Sequence, residues 1–192
     1  MDKPQICIST DFYIVYAFML LLLPVKWVVA WVLSTLTHEL FHIFALLLCK
    51  RRIRTLRITA TGASIYTEYL TGSQDIFCSL AGPIGGLSLL FFAEKNPQLA
   101  LCAVWQNIYN LLPIGKQDGS RAVYRGLQLL FREDTVYHLH IVIHYTVLIG
   151  VCLFGLWAST VLKLGLLPVV ISVLIVIRNR KTPCKEDFQA VQ

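Results

Sequence analysis

Long apolar runs separated by short polar, often basic, breaks dominate this chain. Runs cover Phe12–Val25, Trp27–Cys49, Ile76–Ala93, Pro97–Leu112, Leu139–Trp157 and Leu164–Ile177. A membrane-crossing helix needs about 20 apolar residues, with roughly 17 as the lower limit. The pattern predicts an all-α membrane protein of six transmembrane helices, the shorter ones borrowing flanking residues. Residues 12 to 36 as one helix would set Lys26 near its middle and Pro24 inside it, so the pattern favours two helices with a tight turn at Lys26. Between the second and third runs, Ile58-Thr59-Ala60 and Ile65-Tyr66-Thr67 flank a glycine turn and predict a small β-hairpin within 53–70. Apolar residues at helical spacing from Gly119 to Phe131, with Arg121, Arg125 and Arg132 between them, predict an amphipathic helix on the inner membrane face.

The charges agree with this count. With the N-terminus inside, the inner segments hold fourteen Lys and Arg and the outer loops three, Lys26, Lys95 and Lys163. Cytoplasmic loops collect basic residues, so both ends are expected in the cytosol. The net charge of +6 is thereby read as orientation and not as nucleic-acid binding. Composition points the same way: 56% hydrophobic residues, 15% charged and a mean hydropathy of +0.65 exclude a disordered or fibrous chain and argue against a soluble enzyme. The six cysteines are scattered without CxxC spacing, which gives no disulfide framework. No cleavable signal is read at the N-terminus. Residues 1–177 are expected to form one membrane domain and 178–192 a short cytoplasmic tail.

The chemistry concentrates in His38-Glu39-Leu40-Phe41-His42. On a helix, His38 and His42 share a face and can hold one metal ion. Glu39, one step round, can take the proton from water that the ion activates, since zinc lowers water's pKa from roughly 15.7 towards about 7. The bland alternative is a polar helix interface, but three ionisable groups within five apolar-run residues are costly without a function. Catalytic zinc sites commonly have three protein ligands. The best third ligand is Asp118, beyond the fourth run. His42 lies about 10 Å from the inner end of its run, so the chain must fold back through Pro113-Ile114-Gly115 to bring Asp118 there. Asp118-Gly119 also has an ordinary reading, as a turn at a helix start.

Taken in order, HELFH, then Ala81-Gly82-Pro83, then Asn110-x-x-Pro113-x-x-x-x-Asp118-Gly119, resemble the site-2 protease family of intramembrane zinc metalloproteases. The order and spacing are most similar to its smaller bacterial branch, which includes a sporulation protease acting on a membrane-tethered sigma factor. The resemblance implies zinc held by His38, His42 and Asp118, with Glu39 activating water. It implies that Asn110 positions substrate or stabilises the oxyanion. It also implies a membrane-tethered or transmembrane protein substrate cut near the cytoplasmic face, and a multi-pass protein of a bacterial cell membrane. Two positions depart from that branch: Gly86 stands where Asn is frequent, and Lys116-Gln117 where Pro-Leu often precedes Asp-Gly. No counterpart of the sporulation protease's C-terminal nucleotide-sensing domain is read, so nucleotide control is not implied.

Ala81–Gly86 reads either as small residues that let helices approach or as a proline-broken helix facing the site. The hairpin reads as a plain loop or as an edge to which an unwound substrate adds. His138, His140 and His144 read as interfacial histidines or a polar lining, with His140 and His144 the runner-up metal pair. Two other classes compete with a protease: an inactive relative that binds tethered proteins, and a histidine-iron oxidoreductase, for which five histidines are few.

Overall fold

The computed structural model describes residues 5–59, 62–67 and 69–180. The expected hairpin-turn residues Ala60 and Thr61, and the tail from Lys181 on, lie outside them. The chain is mostly helical with one small sheet. The order is β1 (Gln5–Ile8), α1 (Thr10–Leu22), α2 (Val25–Leu48), β2 (Ile53–Thr59), β3 (Gly62–Thr67) and α3 (Gly72–Gly86) with a 3₁₀ extension (Leu87–Phe92). Then come α4 (Pro97–Leu111), α5 (Asp118–Leu130), α6 (Glu133–Thr160) and α7 (Leu167–Asn179).

Prolines set two of the breaks. Leu23 and Leu112 are both extended and both precede proline, which disfavours helical geometry in the residue before it. The first break therefore falls at Leu23-Pro24, and Lys26 sits in the first turn of α2, not in a turn between helices. α2 is 24 residues long. With Gly72–Phe92 and Glu133–Thr160 it makes, among the described residues, three helices long and apolar enough to cross a membrane, and Thr10–Leu22 and Leu167–Asn179 are shorter apolar helices.

α2 carries its polar residues inward. Leu33, Leu36, Leu40, Phe44 and Leu47 follow one exposed stripe, while Ser34, His38, Ala45 and Leu46 are buried. Water would oppose that arrangement, whereas lipid solvates the apolar stripe at no cost. The buried face packs on α3 and α4. There Gly85 lacks a side chain where a Cβ would overlap the Phe41 ring. α3 begins where Gln74 Oε1 accepts the Thr71 N–H (3.3 Å) and an Arg51 N–H (2.8 Å). Pro83 lies within α3, which continues to Gly86. Ser172 of α7 donates to the Val151 carbonyl of α6 (3.1 Å), and Gly155 makes room for that hydroxyl.

The hairpin of β2 and β3 pairs antiparallel from Ile53↔Thr67 to Thr59↔Gly62. A third strand, β1, runs parallel to β2 with Gln5↔Thr55 and Ile8↔Ile58, giving the order β1-β2-β3.

α5 packs on α3 through charge. Arg125 Nε donates to Oδ2 of the buried Asp75 at 2.7 Å, and Arg121 Nε lies 2.7 Å from Oδ1 as an ion pair outside hydrogen-bond alignment. Arg121 and Arg125, two of the arginines interleaved along the expected amphipathic helix, thus turn towards the protein. Replacing Asp75 by Asn leaves both guanidiniums without their counter-charge. Removing one partner of a buried pair is strongly destabilising, and with the arginines partly exposed we expect a loss of about 3 kcal/mol. It would appear as a lowered thermal midpoint in detergent.

Candidate metal centre

Helical spacing brings His38 and His42 one above the other on the inner face of α2, rings 4.7 Å apart. Each ring is fixed from behind. His38 Nδ1 donates to Asn107 Oδ1 of α4 (2.7 Å), and Asn107 Nδ2 donates to the Ala103 carbonyl (2.7 Å). His42 Nδ1 donates to the Cys78 carbonyl of α3 (2.7 Å). With both Nδ1 atoms engaged, both Nε2 atoms face the same point, which is how ligating histidines are oriented by their outer partners.

Asp118 arrives from the other side. After α4 the chain turns at Leu112-Pro113, takes a left-handed step at Gly115 (φ +55°) and starts α5 at Asp118. Gly119 packs against the Leu111 carbonyl so closely that a Cβ would overlap it. This is the expected fold-back, and glycine is required for it. Asp118 Oδ2 lies 3.2 Å from His38 Nε2 and 3.3 Å from His42 Nε2, and the two Nε2 atoms are 3.1 Å apart. A tetrahedral zinc with ligands about 2.0–2.1 Å away has its donors about 3.3–3.4 Å apart. The triangle of donors found here is close to that size, slightly tighter at 3.1–3.3 Å, and their chemistry, two neutral imidazoles and a carboxylate, suits zinc.

The other two expected residues flank the triangle. Glu39 is the neighbour of His38 on α2, and its Oε1 accepts the Ala63 N–H of β3 at 2.9 Å. Asn110 Nδ2 lies 3.3 Å from His38 Nε2. A cavity of about 460 Å³ adjoins them, lined by Trp31, Thr35, Trp105, Tyr109, Asn110 and Gln117 among others. All five expected residues therefore meet in one place.

Asn107 is the contributor that the sequence reading missed. Its signal was present: Gln106, Asn107 and Asn110 interrupt an apolar run at helical spacing. The departure at Gly86 is connected to it, since a Cβ there would overlap the Asn107 amide, which occupies the space the missing side chain leaves. In Ala81–Gly86 the close-approach reading holds for Gly82, Gly85 and Gly86, which abut His42, Phe41 and Asn107. His138 is exposed, whereas His140 and His144 are buried within the protein. Both ring nitrogens of His144 already bond to backbone groups, which leaves none for a second metal.

No family model and no curated protein matches this sequence. Among solved structures, the site-2 protease from Methanocaldococcus jannaschii is similar in fold. The TM-score is 0.59 at 15% identity, over 96% of this chain and 95% of that one.

Proposed function

We propose that this chain is an intramembrane zinc metalloendopeptidase of the site-2 protease type, cutting a transmembrane or membrane-tethered protein near the cytoplasmic face. The observation that carries the proposal is the donor triangle of His38, His42 and Asp118, close in size to that of a tetrahedral ion and built on histidines held through Nδ1. The likeness in fold to a solved site-2 protease supports it. In this reading the chain crosses the membrane six times, with both ends in the cytosol.

A zinc ion held by the triangle supplies a Lewis acid for the scissile carbonyl and for water. The remaining work falls to side chains. Glu39 takes the proton from the attacking water and passes it to the leaving amine, one carboxylate serving as base and then as acid. The Asn110 amide donates to the oxygen that gains negative charge in the transition state. A scissile peptide must be extended, and β3 offers an edge for that: β1 covers β2, and among the described residues no strand pairs with the other side of β3. Strand addition there supplies main-chain hydrogen bonds without demanding one sequence. Since the Ala63 N–H on β3 already reaches Glu39, a strand added along that edge runs past the base.

The test is elemental analysis of detergent-purified wild type and Asp118→Asn, side by side. We expect about one zinc per chain in wild type and a marked loss in the variant, because Asn is a neutral and weaker ligand. Equal zinc in both would remove Asp118 from the site.

A further inference from the structure

Resting on that reading of the metal centre, we propose that His140 and His144 are positioning residues that hold Asp118 against the α2 histidines. Asp118 is the ligand most in need of support. His38 and His42 ride on a 24-residue helix, whereas Asp118 opens a helix that follows an irregular turn.

α6 grips that turn on both sides of the ligand. The Gly115 N–H, three residues before Asp118, donates to His144 Nδ1 at 3.1 Å. The opposite nitrogen, Nε2, donates to the Asn179 carbonyl at the end of α7, also at 3.1 Å. These two bonds require the neutral ring with its proton on Nε2. Two residues after Asp118, the Ser120 hydroxyl pairs with His140 Nε2 at 3.0 Å, and Tyr124 one turn on meets the same ring edge to face at 5.4 Å. His140 and His144 are one turn apart, so one face of α6 sets the level of residues 115 and 120 together. Ile114, Ser120, His140 and His144 are all at most 1% exposed. Asn179 closes the assembly: its amide donates to the Tyr109 hydroxyl of α4 (3.2 Å), and its Oδ1 fills the space left by the missing Cβ of Gly115.

A side chain that served packing alone would not need two opposed polar atoms. An apolar replacement would fill the volume yet leave the Gly115 N–H and the Asn179 carbonyl unpaired where water does not reach. Glutamine, by contrast, carries an acceptor and a donor about as far apart as the two ring nitrogens.

The experiment measures zinc affinity of the full chain in detergent by chelator competition, together with the visible spectrum of the Co²⁺-loaded protein. His144→Leu is expected to lose about 10–100-fold in zinc affinity, the usual range for groups that orient a ligand, and to alter the cobalt spectrum. His144→Gln is expected to recover most of both. No loss in either variant, or a loss in His144→Gln as deep as in His144→Leu, would overturn the proposal. Should His144→Leu not fold, Ser120→Ala decides: a several-fold loss supports the grip, and wild-type affinity overturns it. Absence of zinc from the wild type would instead remove the metal centre, and this inference with it.

Discussion

Glu39→Gln protein is expected to bind zinc as the wild type does and to cleave about 10²–10⁴-fold more slowly, the range that a positioned general base contributes. The two readouts separate because Glu39 is outside the donor triangle of His38, His42 and Asp118. Gln keeps the length of the side chain, and its Oε1 can still accept the Ala63 N–H that holds Glu39 at 2.9 Å. What it loses is the ability to take a proton from water and return it to an amine. The measurement pairs zinc content with turnover of a membrane-tethered reporter. Cleavage near the wild-type rate would remove Glu39 from its role, and loss of zinc would make it a ligand.

Gly82→Ala is expected to lower zinc affinity about 10–100-fold, comparable to losing a group that orients a ligand. The added methyl would fall within the His42 ring. That ring has no easy escape, since its Nδ1 is bonded to the Cys78 carbonyl one turn earlier on the same face of α3. Either the ring rotates and breaks that bond, or α3 withdraws from α2 and opens the contact of Gly85 with Phe41. Helix propensity runs the other way: Gly to Ala inside a helix is favourable by about 1 kcal/mol. Gly126→Ala and Gly150→Ala are the controls, because a Cβ at either site meets nothing within 4 Å. Competition with a chelator reads all three. Unchanged affinity in Gly82→Ala would mean that α2 and α3 are farther apart than described.

Several features could be read from the chain because they are local. The i, i+4 spacing of His38 and His42 needs only a helix to bring them together. Pro24 and Pro113 restrict the residues before them whatever the rest of the molecule does. The hairpin follows from two β-prone runs around a glycine, and the fold-back to Asp118 from Pro113-Ile114-Gly115; that Gly119 must also lack a side chain shows only where it meets the Leu111 carbonyl.

Partner choice was a tertiary decision. Nothing in Gln5–Ile8 says that it will lie parallel to β2 some fifty residues on; a four-residue run carries no register. Asp75 reads as a first-turn acid of α3, and only the packing of α5 makes it the counter-ion of Arg121 and Arg125. Asn107 and Gly86 look like unrelated small and polar positions until α4 lies against α3. His140 and His144 have the same spacing as the metal pair, yet one pair converges with a carboxylate, while in the other His144 bonds to backbone groups and His140 to the Ser120 hydroxyl. Spacing along a helix determines which side chains share a face; what that face meets depends on how distant helices pack.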